Sequence, residues 1–144
     1  MRIGVITESE GESRVAIVPS SIRKLVKFGY EVAIQEGAGK LSNYSDQDYS
    51  DAGAKVVDRK EALKSPFLIC VRFPEGVEFF EGQVIACVAD PFRHPERIKF
   101  CNQRKATLLS MDMIPRRLSR AQSMDVNSSQ DNLAGYKAVL LGAS

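Results

Sequence analysis

Short apolar runs alternate along the chain with segments of helical spacing, and glycine, proline and small polar residues punctuate them. Arg2 to Ile6 is apolar at Ile3, Val5 and Ile6 and predicts a strand. From Pro19 to Phe28, Ile22, Leu25 and Val26 fall at helical spacing, with Pro19 suited to the first turn and Gly29 to the stop. Glu31 to Gln35 alternates around Val32 and Ile34 as a second strand. Gly37, Gly39 and the polar run to Tyr44 predict a loop, after which Ser45 can cap a brief helix ending near Gly53. Lys55 to Val57 is weakly strand-like, and Glu61 to Lys64 suits one helical turn. Phe67 to Val71 and Val84 to Val88 are continuous apolar runs, the signature of strands inside a parallel sheet. Pro95 to Gln103 predicts a helix with Pro95 and Glu96 in its first turn, and Thr107 to Leu109 one more strand. Strands and helices in this alternation define an α/β fold: a mostly parallel sheet flanked by helices, Rossmann-like or flavodoxin-like, in three layers.

After Leu109 the pattern changes. Met111 to Asn132 is mostly polar, and its first part reads as a structured loop. A helix is expected over about 128–141, with Leu133, Tyr136, Val139 and Leu140 on one side and the small Ala134, Gly135 and Ala138 permitting close approach of a neighbour.

Composition narrows the function classes only a little. The 144 residues, 44% hydrophobic and 26% charged, suffice for one domain with its own core. Twenty basic against 18 acidic side chains leave a net charge of +2, too small to imply a nucleic-acid or anionic-membrane partner. Arg93, Arg97, Lys99, Arg104 and Lys105 cluster around one helix but lack interleaved aromatics, so a solvated face accounts for them. The apolar stretch near Met1 is too short for a signal-peptide core, and no run approaches the roughly 18 residues of a spanning helix. These features predict a soluble cytoplasmic chain.

Familiar catalytic arrangements are missing. Cys70, Cys87 and Cys101 have no CxxC spacing, and Cys70 and Cys87 lie inside predicted strands, so reduced core thiols are expected. His94, the only histidine, precedes Pro95 as a helix-start residue would. No metal site is expected. Gly37-Ala-Gly39-Lys40 follows a strand but lacks the third glycine and the opening helix of a dinucleotide loop, and nothing resembles GxxxxGK[ST].

The stretch from Pro115 to Val139 gathers arginine, amide, carboxylate and hydroxyl groups just ahead of a helix. Arginine forks can pair with aspartate to fix such a loop, while Gln and Ser offer directional hydrogen bonds to a carboxamide and a ribose. A solvated loop in which Arg116, Arg117 and Arg120 balance Asp125 and Asp131 is the plainer reading, and composition alone leaves both open.

Several blocks resemble the N-terminal domain shared by alanine dehydrogenase and the α subunit of proton-translocating NAD(P) transhydrogenase. They are Gly11 to Pro19, Leu25 to Gly29, Glu36-Gly-Ala-Gly39 with Ser45-Asp46, Ala52-Gly53-Ala54, Met111-Asp112, and Ser119 to Val139. The resemblance implies an N-terminal domain over 1–144, with a nicotinamide-contacting loop at 116–128 and a helix at 128–141 leading towards a downstream dinucleotide-binding domain. Alanine dehydrogenases use a lysine and a histidine to bind the amino or keto acid, and those places are matched here to Cys70 and Ala89. Arg14, the family's remaining substrate arginine, is then expected to support the fold. The wording of Ser119 to Asp125 and Ser128 to Tyr136 is similar to the transhydrogenase branch.

In that branch an arginine, a glutamine, an aspartate and a serine hold the nicotinamide end of NAD(H). The match places these on Arg117, Gln122, Asp125 and Ser128, with Ser123 and Met124 also lining the cofactor. Two arginines, Arg116 and Arg117, stand where the family has one, and Arg117 fits the spacing from Gln122 better. The implied activity is hydride transfer between NAD(H) and NADP(H) on a partner domain, coupled to proton translocation in a full enzyme. Implied partners are membrane and NADP-binding subunits and a second copy in a homodimer, with the domain peripheral to the inner membrane. A catalytically silent dimerisation or regulatory domain, and an alanine dehydrogenase-like enzyme, are the alternatives.

Overall fold

The computed structural model describes residues 1–115 and 117–143. Six strands form one all-parallel sheet: β1 (Arg2–Val5), β2 (Glu31–Gln35), β3 (Lys55–Val57), β4 (Phe67–Arg72), β5 (Val84–Val88) and β6 (Thr107–Ser110). Their order is β3-β2-β1-β4-β5-β6, that of the doubly wound Rossmann sheet rather than the flavodoxin one. The chain runs outward from β1 to one edge, then returns to β4 and runs to the other. The switch between the two directions leaves a crevice at the carboxyl ends of β1 and β4.

Among the described residues five α-helices accompany the sheet: α1 (Pro19–Lys27), α2 (Asp46–Asp51), α3 (Arg59–Leu63), α4 (Pro95–Gln103) and α5 (Val126–Gly142). Their starts follow local rules. Pro19 and Pro95 open α1 and α4, where a missing N–H costs nothing. Ser45 and Asp48 form a reciprocal capping box at α2, and Asp58 accepts from the Glu61 amide at 2.8 Å to begin α3. That cap moves the start of α3 two residues ahead of the sequence expectation, because Asp58 satisfies amides the apolar pattern does not reveal. Gly29, at φ +83°, supplies the left-handed residue after α1.

The core lies in two halves. On one face Ile3, Val5, Val32 and Ile34 pack with Ile22 of α1 and Tyr49 of α2, and the Tyr49 hydroxyl donates to the Ile17 carbonyl at 3.1 Å. On the other, Leu68, Cys70, Ile85 and Cys87 pack with Ala62 of α3 and Cys101 of α4. Gly4 faces α3 so closely that an added Cβ would strike the Ala62 carbonyl oxygen, which fixes glycine at that position. Each fully buried Ile or Leu contributes about 2 kcal/mol, so these layers carry most of the stabilisation.

The cover is incomplete. α1 and α2 lie over β1 to β3, and no described helix covers β4 to β6 on that face. Phe67, Ile69, Val71, Val84 and Val88 are accordingly half-buried, and Leu109 is 43% exposed. The apolar runs of β4 and β5 signal burial on both faces, yet alternate residues are buried only against α3 and α4. α5 stands away from the sheet. It begins two residues before the expected position, has no buried residue, and exposes Leu133, Tyr136, Val139 and Leu140. Among the described residues no helix is long and apolar enough to cross a membrane.

Candidate functional site

The half-covered face of β4 to β6 is the floor of a cleft of about 670 Å³. Phe67, Ile69, Val88 and Leu109 form its base, Arg14 one wall, and Asn127 and Gln130 of α5 the other. The carboxyl end of the sheet sets the polar groups around it. Glu12 is buried and accepts from Arg14 Nε at 2.7 Å, Arg14 Nη2 at 2.6 Å, the Arg14 amide at 3.1 Å and Arg72 Nε at 2.9 Å. These bonds, those of Arg14 first, hold its carboxyl down at about 2 against the opposing effect of burial. Glu8 accepts from the Val71 and Arg72 amides at 2.6 and 3.1 Å, but burial outweighs those bonds and raises its pKa.

Two guanidinium groups thus stand at the cleft, both bound to one internal carboxylate. The cation supplied by β4 is Arg72, whereas Cys70, the position matched to the dehydrogenase lysine, is 5% exposed and packs in the α3/α4 core. Ala89 is buried, its amide donating to Asp112 Oδ1 at 3.2 Å and its carbonyl accepting from Arg97 Nη1 at 2.8 Å. Among the described residues no histidine or lysine lines the cleft, so it offers no imidazole or amine for proton transfer, and both of its guanidinium groups are paired with Glu12.

Asp112 ties the sheet to the root of α5. Its carboxylate accepts from the Ala89 and Asp90 amides and from Ser110 Oγ at 2.6 Å, and its carbonyl accepts from Asn127 Nδ2 at 3.3 Å. The described residues from Arg117 to α5 make tight turns, and among them Ala121 is 5% exposed. The loop residues named from the sequence fall on or near the root of α5. Gln122 to Met124 form a single 3-10 turn, and Asp125 then caps the helix, accepting from the Ser128 amide at 3.0 Å and Ser128 Oγ at 2.6 Å. Arg117 and Gln122 are exposed, and the Gln122 side-chain amide bonds to no other described residue. Ser123 Oγ donates to the Arg120 carbonyl at 3.2 Å, and Met124 is half exposed. Arg116 lies outside the described residues.

None of these loop residues lines the cleft. Helical geometry explains the separation: Ser128 and Gln130 are two residues apart, so roughly 200° of rotation divides them. Gln130 faces the cleft and Ser128 looks away from it, alongside the start of a ridge that includes Gly135. Gln130 and Asn127 were not singled out by sequence, since a polar residue on a helix carries no sign of which neighbour it will meet.

Other candidates are accounted for. All three cysteines are free and buried, and burial raises each thiol pKa, that of Cys87 to about 12. His94 Nδ1 lies 2.9 Å from Glu96 at the start of α4. The Gly37 amide donates to Asp46 Oδ1 at 2.9 Å, so a carboxylate of this chain takes the place a phosphate would need. Arg93, Arg97, Arg104 and Lys105 pair with Asp90, Glu75, Glu78 and Glu81. No group of side chains suited to a metal ion occurs among the described residues.

An all-parallel Rossmann-order sheet without a glycine-rich loop of its own, followed by a polar loop and a projecting helix, defines an α/β domain of the doubly wound class. The model of the family "Alanine dehydrogenase/PNT, N-terminal domain" matches residues 4–134, and the chain belongs to that family. It is 40% identical over 146 residues to the NAD(P) transhydrogenase subunit alpha of Cereibacter sphaeroides, spanning 97% of this chain and 28% of that one. It is 35% identical over 147 residues to the NAD(P) transhydrogenase subunit alpha of Haemophilus influenzae, over 99% of this chain and 28% of the relative. Alanine dehydrogenase 1 of Staphylococcus aureus is 28% identical over 99% of this chain and 38% of that one. Among solved structures, a transhydrogenase from Sinorhizobium meliloti matches with a TM-score of 0.91 and 38% identity, over 97% of this chain and 43% of that one. An L-alanine dehydrogenase matches with a TM-score of 0.78 and 29% identity, over 84% of this chain and 34% of that one. The chain therefore spans less than half the length of these relatives.

Proposed function

We propose that this chain is the N-terminal domain of a transhydrogenase α subunit and contributes the nicotinamide side of its NAD(H) site. The observation that carries the reading is the polar set leading into α5, where the exposed Arg117 and Gln122 precede the hydrogen-bonded pair Asp125 and Ser128 along the chain. Those groups suit a carboxamide and a ribose. Gln122 offers two donors and an acceptor, none engaged with a described residue, and Arg117 offers a planar fork of donors. Ser128 Oγ gives its proton to Asp125 Oδ2 and keeps lone pairs that can accept from a carboxamide N–H. When bound, NAD(H) supplies the hydride exchanged with NADP(H) on a partner domain. The chain's own part is orientation: Asp125 fixes the helix start, Ser128 follows it, and Gln122 stands nearest the partner ring. Holding two rings at reacting distance lowers the barrier by several kcal/mol.

Adenosine and pyrophosphate contacts come, on this reading, from a downstream dinucleotide-binding domain, for which the exposed Leu133, Tyr136 and Val139 offer an apolar docking stripe. Membrane and NADP-binding subunits, a homodimer and a position at the cytoplasmic side of an inner membrane complete the proposal. The engagement of both Arg14 and Arg72 with Glu12 disfavours amino-acid dehydrogenase chemistry in the cleft. Gln122→Asn in the native polypeptide tests the reading. Shortening the side chain by one methylene is expected to slow hydride transfer roughly tenfold or more, because small misplacements are costly. Unchanged transfer rate and NADH affinity would refute it.

A further inference from the structure

α5 is attached to the sheet at its root and exposed along its length, so what fixes the root decides where the helix points. Side-chain bonds join it to the body there: Asn127 Nδ2 donates to the Asp112 carbonyl at 3.3 Å, and Arg14 Nη1 donates to Gln130 Oε1 at 2.8 Å. Asn127 and Gln130 are three residues apart, neighbours on one helix face, and together they set both tilt and rotation. The second bond spans the cleft, joining residues 116 positions apart in sequence.

An exposed hydrogen bond is ordinarily weak because a long side chain must be immobilised to form it. Arg14 is already immobilised: Glu12, 6% exposed at its side chain, takes its Nε, its Nη2 and its backbone amide, and Arg72 holds Glu12 from the other side. Nη1 is the donor left over, and it is rigid before Gln130 arrives. The leverage is large. With Asn127 as pivot and about 1.5 Å of rise per residue, a displacement at Gln130 grows roughly fivefold by Gly142.

We propose that Arg14 is a positioning residue, which through Gln130 latches α5 at the tilt and rotation that present Asp125 and Ser128 on the face away from the cleft. The proposal rests on the reading of the loop as a nicotinamide site for its kinetic consequence, but the latch itself does not. Breaking it leaves Gln122, Asp125 and Ser128 chemically intact but frees α5, with Asp125 and Ser128 at its root, to turn about Asn127. The expected signature is therefore a loss of turnover with little loss of NADH binding.

The test uses the native polypeptide with spin labels at Lys27→Cys and Lys137→Cys, both exposed, while Cys70, Cys87 and Cys101 are buried. Gln130→Leu removes the acceptor on an exposed helix position, so folding is preserved; Gln130→Glu restores an acceptor for Arg14. The inter-label distance distribution is expected to broaden or shift by several Å in Gln130→Leu, since the same geometry gives roughly threefold leverage at Lys137. It returns to the native form in Gln130→Glu. Transhydrogenation kcat falls roughly tenfold in Gln130→Leu with KM for NADH within about twofold, and Gln130→Glu recovers it. An unchanged distance distribution in Gln130→Leu overturns the latch, and a changed distribution with unchanged kcat overturns the positioning role. If Gln122→Asn is silent while the distances still respond to Gln130→Leu, the nicotinamide reading fails and the latch stands.

Discussion

Asp125 accepts both the backbone amide and the hydroxyl of Ser128, at 3.0 and 2.6 Å, so one carboxylate starts α5 and orients a serine of the proposed cofactor site. The two tasks can be separated. Asp125→Ala removes the cap and costs about 1 kcal/mol, felt locally because α5 is exposed. Amide exchange over Val126 to Gln130 is expected to accelerate about fivefold, with the global unfolding midpoint little changed. Asp125→Asn keeps a good cap and the exchange protection, yet removes the charge, so hydride transfer in the native polypeptide falls while the helix stays formed.

Glu12 gives a pH dependence of known sign. Its folded pKa, about 2, lies below the ordinary 4.5, so its contribution is fully present above about 4.5 and is lost as pH falls towards 2. Glu12→Gln is expected to destabilise the domain by on the order of 2 kcal/mol at pH 7. Denaturant titrations of the two proteins converge as the pH drops through that window, and parallel curves at pH 7 and pH 3 would count against the assignment.

The thiols are predicted to be silent. Burial raises the pKa of Cys87 to about 12 and also raises those of Cys70 and Cys101, leaving almost no thiolate at pH 8. Alkylation of the folded protein at that pH is expected to follow the opening rate of the core, with all three thiols reacting at once in denaturant. Rapid stoichiometric labelling of native protein would contradict this.

Lys105, just past α4, adopts φ +52°, a left-handed conformation that costs a side-chain-bearing residue about 1 kcal/mol. Lys105→Gly relieves that cost and gives up only an exposed pair with Glu81. A small rise in the unfolding midpoint is expected, read by thermal denaturation.

Most elements were legible because their causes are local. Proline at the first turn, Ser45 ahead of Asp48, and alternating apolar positions in Glu31 to Gln35 each act within a few residues, and the observed bounds of α1, α2, β2 and β5 follow them closely. The start of α3 at Arg59 was missed by two residues because its cap, Asp58, sits outside the apolar pattern. The site was only partly legible. Gln122, Asp125 and Ser128 stand out as a polar cluster before a helix, but Gln130 lies far along the chain from Arg14 and its neighbour Glu12, and Gln130 and Arg14 meet only across the cleft.

By itself the sequence determined the alternation of strands and helices, the absence of a glycine-rich phosphate loop, and the family, since these depend on spacing along the chain and on residue identity. Only the tertiary structure decided that β4 to β6 are covered on one face, that Glu12 ties up both Arg14 and Arg72, and that Gln130 rather than Ser128 meets the cleft. The reason is physical: periodicity says which side of an element is apolar, whereas the neighbour that side meets is set by the order and hand of the crossovers, which act over the whole chain.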